Sequence, residues 1–250
     1  MLNHSAKGYV FRGQAHAALL TVCLKSRCRC LYVAVMLALN TGMRYSEIRL
    51  LRWRQVDFLA RILTVGKSKS PTGAGRAIPL NRRILSGLDM WAAQFPNRQP
   101  THFVFAREKY GAAGEQDSFG FTAGPVVYDT DPTRPIGDWK EAWEKAKKRA
   151  GAILSGKAEE EEDSEPLKCR FHDLRHTAVT RLLEGGIPYP VVASMMGWSA
   201  ATAIRMAKRY GHIGSKALRD AADVLEGVKI PLGSLKKSPK SPEVKSVALQ

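Results

Sequence analysis

The stretch FHDLRHT at residues 171–177 holds two histidines, an aspartate and an arginine within seven positions. In a helix, His172 and His176 lie on one face, which a zinc site of the H-E-x-x-H type requires. Arg175 lies beside His176 on that face, however, and its permanent positive charge is a poor neighbour for a divalent cation. Because the acid is also one methylene shorter than Glu and no third ligand follows at a familiar spacing, the pattern disfavours a metal site.

Serine or cysteine hydrolase chemistry is also disfavoured, since the chain has no G-x-S-x-G or comparable nucleophile elbow. An anion site fits the stretch best. His172 and Arg175 lie three positions apart at the expected start of a helix, where both can donate hydrogen bonds to phosphate oxygens. A single His and Arg also occur in ordinary ion pairs, so the interpretation depends on a wider set of residues.

Composition favours nucleic acid as the partner. The chain has 250 residues, with 39 Lys and Arg against 23 Asp and Glu, and its formal net charge is +16. A surface of this charge attracts polyanions, because neutralising phosphates releases their condensed counterions. The simpler alternative is that the excess charge only confers solubility.

The cysteines and apolar runs predict a soluble cytoplasmic protein. The chain has four cysteines, Cys23, Cys28, Cys30 and Cys169. None forms a C-x-x-C pair, which favours reduced thiols over a disulfide framework or a zinc ribbon. The apolar runs at 17–24 and 31–39 are shorter than the about 20 residues of a membrane span, and no small-residue cleavage site follows the first. We therefore expect no signal peptide, no transmembrane segment and no membrane partner.

Most of the elements that must position the site are predicted to be helices. The run LYVAVMLALNTG is apolar on every side and ends at Gly42, as a buried helix does. Ser46 can cap the next helix, with Glu47 in its first turn and with Ile48 and Leu51 facing the core. Further helices are predicted over 81–95, 138–151, 172–184, 190–196, 199–210 and 215–226.

The helix over 138–151 has a clear amphipathic pattern. Trp139, Trp143 and Ala146 share one face, while Asp138 is placed to cap the helix and Gly151 to end it. Its exposed face carries two predicted ion pairs, Glu141 with Lys145 and Glu144 with Lys148.

Strands are predicted in two places. Residues 61–80 predict two short strands around a Gly, Pro and Ser turn, which is a hairpin with a long basic tip. The HFVF segment at 102–105 is a plausible strand, and the Gly-rich stretch after it, up to about Pro135, has no clear pattern. The expected fold class is α+β, mostly α-helical with a small antiparallel sheet, in which the hairpin and the helix starts surround a basic cleft.

Five short motifs together resemble the tyrosine recombinase family, the phage integrase type of site-specific DNA recombinase. They are TGMRYSE, VGKSK, HDLRH, MGW and KRYGH, which occur in the family's order between about Leu31 and Val228. Each fragment is weak alone, whereas the ordered combination is highly specific. The resemblance implies the catalytic-domain fold of that family and a DNA strand transferase that cleaves and rejoins DNA through a 3′-phosphotyrosyl intermediate.

The resemblance also implies a catalytic set. It comprises Arg44, Lys67, His172, Arg175, Trp198 and Tyr210, with Glu47 in support. Lys69 is a second candidate for the hairpin lysine. The set suits the reaction, since two planar guanidiniums can hold the five-coordinate phosphate and a phenol, with a free pKa of about 10, needs a base beside it.

The resemblance divides the chain into three parts. Residues 1–30 are poorly patterned and are too few for the N-terminal core-binding domain of full recombinases, residues 31–228 form the catalytic domain, and 229–250 form a basic, disordered tail. An acidic run, KAEEEEDSEP at 157–166, is expected to be a solvated loop. Trp198 and Tyr210 are further apart than is usual in the family, which implies about one extra helical turn.

The expected partner is double-stranded DNA, bound by a homotetramer on paired sites. The resemblance implies no cofactor, no metal and no small-molecule substrate. Two alternatives stay open, which are a truncated DNA-binding remnant that does not exchange strands and an enzyme similar to type IB topoisomerases.

Overall fold

The computed structural model describes residues 9–110, 127–157 and 165–210, apart from the side chains at 109–110, 127–129 and 209–210. Its helices are α1 (Gly13–Leu24), α2 (Leu31–Thr41), α3 (Tyr45–Arg49), α4 (Arg82–Ala92), α5 (Lys140–Leu154), α6 (His172–Glu184), α7 (Tyr189–Met196) and α8 (Ala200–Tyr210). Its strands are β1 (Val56–Asp57), β2 (Ile62–Thr64), β3 (Ala77–Pro79), β4 (Ala106–Tyr110) and β5 (Val127–Pro135). The expected α+β class, mostly helical with antiparallel strands, is confirmed.

Helix α2 lies at the centre of the core, as its uniformly apolar sequence predicts. All of its residues except Tyr32 and Asn40 are buried, and it packs against α1, α4 and α6. It ends at Gly42, which adopts a left-handed conformation with φ of 64°. The next residues of the chain therefore leave the core at a sharp turn.

Helix α1 lies before residue 31, the predicted start of the catalytic domain. It packs against α2 and α5, and Phe11, Leu19 and Val22 are buried in the same hydrophobic core as α2. The hydrophobic core of the described residues therefore begins before residue 31, and the domain bounds stay a prediction. The segment has weak periodicity because neighbouring helices cover more than one side of α1, so its apolar residues do not form a single stripe.

The predicted hairpin at 61–80 forms the greater part of a three-stranded antiparallel sheet in the order β1-β2-β3. Leu63 pairs with Ile78 at its centre, and both side chains are fully buried. Two further backbone hydrogen bonds continue the ladder, from Val65 to Arg76 and from Gly75 to Val65. This extension fixes the base of the hairpin tip, by which we mean residues 66–75.

A second antiparallel pair, β4 with β5, was missed by the sequence analysis. The plausible strand at 102–105 lies before it and makes only an isolated bridge, between Phe103 and Arg52. Pro132 and two register shifts interrupt the pairing, and these irregularities hide the alternating pattern that identifies a strand.

Helix α5 confirms the amphipathic prediction but not its end. Trp139, Trp143 and Ala146 are buried, and Asp138 accepts the backbone N–H of Lys140 at 3.1 Å, as a cap. Gly151, expected to end the helix, lies inside it. A Cβ at this position would collide with the backbone oxygen of Glu165, so the glycine is needed for close approach of two backbones.

The predicted ion pairs on α5 form in part. Lys145 lies 2.6 Å from Glu141, as expected, whereas Glu144 pairs with Lys147 at 2.7 Å instead of with Lys148. Both spacings bring side chains together on a helix surface, so the sequence alone does not choose between them.

The helices after the acidic run were predicted well. Helix α6 matches the expected 172–184, α7 begins one residue early at Tyr189, and α8 begins one residue late at Ala200. Most of the acidic run, the helix predicted over 215–226 and the basic tail at 229–250 lie outside the described residues. In the described part of the chain, none of the helices has the length and hydrophobicity needed to cross a bilayer.

Replacing Gly151 by Ala should lower the free energy of unfolding by about 1–3 kcal/mol, because the added methyl group has no room beside the Glu165 backbone. Urea unfolding followed by circular dichroism measures the change. Gly87→Ala in α4 is the matched control, since nothing lies within 4 Å of a Cβ there and helix propensity predicts a gain of up to about 1 kcal/mol. Equal stability of the two variants would contradict the close contact.

Candidate active site

The turn between α2 and α3 presents Arg44. Helix α3 begins directly after this residue, and Glu47 accepts the backbone N–H of Arg44 at 2.8 Å. Ser46, which was expected to cap this helix, lies within it. The prediction that Ser46 caps α3 is wrong, because the carboxylate of Glu47 already accepts the free backbone N–H at the start of this helix.

Glu47 is the centre of a buried ionic network. Its side chain is fully buried and accepts hydrogen bonds from the Arg44 guanidinium at 2.8 Å and from the Ser68 hydroxyl at 2.5 Å. Arg76 binds both carboxylate oxygens, at 3.1 and 2.7 Å. Burial raises the pKa of Glu47, but the hydrogen bonds from Arg76, Ser68 and the Arg44 backbone outweigh it and lower the pKa to about 2.

Arg76 is a site-organising residue that the sequence analysis missed. It follows the hairpin tip, and besides binding Glu47 it donates to the carbonyl oxygen of Gly73 at 2.6 Å and to that of Met195 at 3.0 Å. It thus joins the hairpin to α3 and α7. The sequence carried no signal for this role, because the burial of the Glu47 side chain, which requires a second cation, is visible only in the structure.

Arg175 lies beneath the surface. The residue is 4% exposed, and its guanidinium donates to the carbonyl oxygens of Gly42 and Met196, each at 2.6 Å. Gly42 precedes Arg44 by two positions, so one hydrogen bond ties the two predicted arginines to the same turn. Glycine suits this position because its φ of 64° is one that other residues rarely adopt, and a Cβ would also meet the end of the Met196 side chain.

The C-terminal carbonyl groups of α7 hold both buried arginines. Met195 binds Arg76, and Met196 binds Arg175. The carbonyl oxygen of Gly197 accepts two hydroxyl groups of the hairpin tip. These carbonyls have no partner within the helix and lie at the negative end of its dipole, so they suit positively charged and hydroxyl donors.

His172 is the first residue of α6 and remains exposed to solvent. Its ring makes an edge contact with that of His176, at 5.0 Å between centroids. Desolvation lowers the pKa of His172, and the positive charges of Arg175, Arg170 and Arg44 lower it further. The imidazole is therefore neutral at pH 7 and is able to accept a proton.

The hairpin tip presents both candidate lysines, Lys67 and Lys69, with exposed side chains. Ser68 lies between them, donates to Glu47 and accepts a hydrogen bond from Arg44 at 3.4 Å. The tip is also fixed to α7, since Ser70 and Thr72 donate to Gly197 at 3.4 and 3.3 Å. These hydrogen bonds thus hold the hairpin tip, with both lysines, beside Arg44. They do not show which of Lys67 and Lys69 is the catalytic candidate.

Lys67 also lines an open cavity of about 610 Å³. Arg52 and Arg54 line the same cavity, together with the Gln55 side chain. Arg52 lies over the ring of Phe103, at 3.9 Å from its centroid. The cavity is therefore a basic recess next to the hairpin tip, and its charge suits a phosphate backbone.

Trp198 follows the left-handed turn at Gly197 and is partly buried. Its ring lies 6.0 Å from that of Tyr189, between centroids, and no described residue accepts its indole N–H. Tyr189 in turn donates to the carbonyl oxygen of Ala203 at 2.6 Å, which joins α7 to α8. Trp198 thus lies at the junction of the hairpin tip, α7 and α8.

Tyr210 is the last described residue, at the end of α8. The Tyr210 side chain lies outside the described part of the structure, and so does the distance from its phenol oxygen to the two arginines. The other six predicted residues lie on elements that direct hydrogen bonds connect. Within 9–110, 127–157 and 165–210, no three or more His, Cys, Asp or Glu side chains form a cluster that could hold a metal ion.

Comparisons with known sequences match the chain to one protein family. The model of the phage integrase family matches residues 11–216, a range that includes α1. An integrase of Salmonella phage P22 is 30% identical over 201 residues, which cover 78% of this chain and 43% of the relative. A shufflon-specific DNA recombinase of Escherichia coli is 28% identical over 184 residues, which cover 73% and 35%. The chain spans less than half the length of these two relatives.

Solved structures with the same fold include two integrases. The Tn1549 transposon integrase in complex with transposon right end DNA has a TM-score of 0.58 at 18% identity, covering 90% of this chain and 68% of that one. The catalytic domain of bacteriophage HP1 integrase has a TM-score of 0.52 at 22% identity, covering 86% and 93%. The expected recombinase catalytic-domain fold is thus confirmed.

Replacing Glu47 by Gln should remove a pH-dependent part of the stability. The folded pKa of about 2 lies below the usual Glu value of about 4.3, so the stabilisation is complete above pH 4.3 and is lost as the pH falls through 2. It amounts to about 3 kcal/mol, with about half lost by pH 3. Urea unfolding at pH 3, 5 and 7 should therefore show a flatter profile for Glu47→Gln than for the wild type.

Two controls identify the source of this effect. Arg76→Met should flatten the profile too, because it removes the strongest hydrogen-bonding partner of Glu47. Glu141→Gln changes a fully exposed carboxylate, whose pKa is lowered by a surface ion pair with Lys145 that water screens, and its profile should stay close to that of the wild type. If Glu47→Gln also runs parallel to the wild type below pH 4.5, the network does not hold the carboxylate ionised.

Proposed function

The chain belongs to the phage integrase family, and from this we propose that it is a site-specific DNA recombinase that cleaves and rejoins strands through a 3′-phosphotyrosyl intermediate. The observation that carries the proposal is the hydrogen bond from Arg175 to Gly42, which connects α6 to the turn that presents Arg44. Two guanidiniums from distant parts of the sequence are thereby held to one turn. Such a pair suits the negative charge that develops on the oxygens of a phosphodiester during attack.

The two arginines have different parts in this proposal. The Arg44 side chain is 21% exposed, so it binds a non-bridging phosphate oxygen directly. Arg175 lies below it, where water screens its charge less than at the surface. Because both guanidiniums are already held in place, little reorganisation is needed when the transition state forms.

Proton transfer completes the proposed reaction. The Tyr210 oxygen attacks phosphorus, its proton passes to the neutral imidazole of His172, and the bond from phosphorus to the 5′ oxygen breaks. Lys67 gives the departing oxygen a proton. The phosphotyrosyl bond preserves the energy of the ester, so a 5′ hydroxyl from another strand reverses the steps without ATP.

Trp198 and Glu47 support this chemistry. The indole N–H of Trp198 donates to a phosphate oxygen, which would give it the acceptor that the described residues do not supply. Glu47 orients Arg44, to which it is already bound through both the backbone and the side chain. The arginines supply the charge neutralisation that metal ions give in kinases, so the proposed steps require no metal or other cofactor.

The proposed partner is a DNA duplex. The basic recess around Lys67, Arg52 and Arg54 contacts the phosphate backbone, so affinity falls steeply as salt increases. Strand exchange needs two paired sites, each cleaved on both strands, and a homotetramer provides the four nucleophiles. Such a protein acts on DNA in the cytoplasm, at the nucleoid.

A nicked suicide duplex tests the nucleophile. The nick lets the short cleaved strand diffuse away, so the covalent complex accumulates and is seen as a shifted band on a denaturing gel. Duplexes are taken from the DNA that flanks the coding sequence in its source genome. The wild type should form the adduct and Tyr210→Phe should lose it, whereas Tyr32→Phe, a conservative change in α2, should retain it.

Other outcomes of this experiment favour the alternatives. Salt-sensitive retention of DNA with no adduct would indicate a binding remnant and would overturn the recombinase proposal. Relaxation of supercoiled plasmid in the absence of paired sites would favour an enzyme of the type IB topoisomerase class. An adduct that persists in Tyr210→Phe would assign the nucleophile to another residue.

A sulfur substitution separates Lys67 from Lys69. Lys67→Ala should slow cleavage by about 100-fold or more, in the range expected for loss of a general acid. With sulfur at the 5′ bridging position, the leaving group needs no proton, so Lys67→Ala should recover to within about tenfold of the wild type. Lys69→Ala, the matched change in the same tip, should lose about threefold or less on either substrate.

The reverse pattern, with Lys69→Ala defective and rescued by sulfur, would transfer the role to Lys69. Loss of activity in Lys67→Ala without any rescue would mean that this lysine binds DNA and does not protonate the leaving oxygen. Measuring adduct formation under single-turnover conditions keeps binding and chemistry separate.

A further inference from the structure

Two cysteines lie close together near the start of α2, whereas Arg44 follows the end of that helix. Cys28 belongs to the loop between α1 and α2, and Cys30 directly precedes α2. Their sulfur atoms are 3.5 Å apart and share a hydrogen bond. Cys28 is half-buried, whereas Cys30 is buried, so a reagent in solution reaches the two thiols through Cys28.

We propose that Cys28 and Cys30 form a peroxide-reactive dithiol, in which Cys28 is oxidised by a hydroperoxide and Cys30 then closes a disulfide. The inference is independent of the recombinase proposal. It rests on the position of the two sulfurs, the opening beside Cys28 and the different surroundings of the two thiols.

The reaction balances in two steps. The thiolate sulfur of Cys28 attacks one oxygen of the hydroperoxide, the O–O bond breaks, and the departing oxygen leaves as an alcohol or water after taking a proton. Cys28 is then a sulfenic acid. The Cys30 sulfur attacks the Cys28 sulfur, the S–O bond breaks, and the hydroxyl leaves as water with the proton of Cys30. Two electrons have passed from the two thiols to the hydroperoxide.

Access to Cys28 is through a cavity of about 450 Å³ between the α1–α2 loop and α5. Cys28 lines this cavity together with Arg27, Ala142 and Arg149. A hydroperoxide is small in comparison with such a volume. Charged side chains of both signs, Glu141 and Lys145 among them, also line the cavity.

The local hydrogen bonds give the two cysteines different roles. The hydrogen bond shared with Cys30 lowers the pKa of Cys28, against the opposing effects of burial and Glu108. The same bond, together with burial, raises the pKa of Cys30. Because Cys28 lines the cavity and Cys30 is buried, Cys28 is the attacking sulfur and Cys30 reacts in the second step.

Closing the disulfide requires a small movement. Sulfur atoms 3.5 Å apart must approach by about 1.5 Å to reach the length of a disulfide bond. Cys28 lies in a loop, and Cys30 precedes the first helical residue of α2. The movement therefore disturbs no hydrogen bond in the interior of that helix.

The chain contains its own control thiols. Cys23 and Cys169 are both buried, and burial raises the pKa of each to about 12. Neither is in thiolate form at neutral pH, so neither reacts with peroxide at a comparable rate while the protein is folded.

Peptide mapping of the full chain tests the proposal. The folded protein is treated with hydrogen peroxide at pH 7, free thiols are blocked, and the protein is digested with trypsin. Cleavage after Arg27, Arg29 and Arg44 places Cys28 in a dipeptide and Cys30 in the peptide 30–44. The expected product is these two peptides joined by a disulfide, formed at least about ten times faster than any oxidation of Cys23 or Cys169.

Two variants separate the steps. Cys30→Ser should stop at the sulfenic acid of Cys28, trapped as an adduct with dimedone, and Cys28→Ser should leave the remaining three thiols reduced. Oxidation of all four cysteines at similar rates would overturn the proposal, as would an unreactive Cys28 in the folded wild type. The peptide map of the wild-type protein distinguishes these outcomes even if a variant does not fold.

Discussion

The ionised carboxylate of Glu47 is the interaction on which the arrangement of the site depends. Burying it without partners would cost far more than the fold gains elsewhere, so the surrounding elements must bring donors to it. The donors are Arg44 directly before α3, Ser68 of the hairpin tip and Arg76 directly before β3. The hydrogen bonds to this one buried carboxylate thereby fix the relative positions of three segments. They also hold Arg44 on the exposed side of the network.

The end of α7 fixes the remaining element by the same principle, with the signs reversed. Its unpaired carbonyls bind the cations Arg76 and Arg175, which are the charged groups that a helix C-terminus favours. Arg175 spans from there to Gly42, so α6, α7 and the α2–α3 turn meet at one guanidinium. Arg76 belongs to both networks, because it binds Glu47 and the carbonyl oxygen of Met195. Breaking either network would therefore remove a hydrogen-bonding partner from the other. This coupling explains how residues more than a hundred positions apart form a single charged surface.

The sequence predicted the parts whose signals are local. The candidate site residues came from the resemblance of five ordered motifs to a known family, whereas most of the helices and the basic hairpin could be inferred from spacing and composition. Arg76 could not, because its importance comes from hydrogen bonds to Glu47 and Met195, which lie 29 and 119 positions away. Gly151 was taken for a helix end, since the backbone that approaches it comes from a separate segment. Helix α1 and the β4–β5 pair were missed for a related reason, because burial on several sides and irregular pairing remove the periodic pattern.

The candidate catalytic residues also fall into two groups, according to whether hydrogen bonds hold the residue itself or only its neighbours in place. Arg44 and Arg175 are fixed by hydrogen bonds to backbone or buried carboxylate groups, as groups that stabilise charge should be. Lys67 is exposed on a tip whose neighbouring residues, not the lysine itself, are anchored, and α8 is joined to α7 by the bond from Tyr189 to Ala203. For the proposed reaction, this means that the charged floor of the site is formed before DNA arrives, whereas the proposed proton donor and nucleophile lie on more loosely tied segments and must be delivered to the phosphate. In the proposed mechanism, the encounter with DNA therefore decides when cleavage begins, and the fixed arginines decide where.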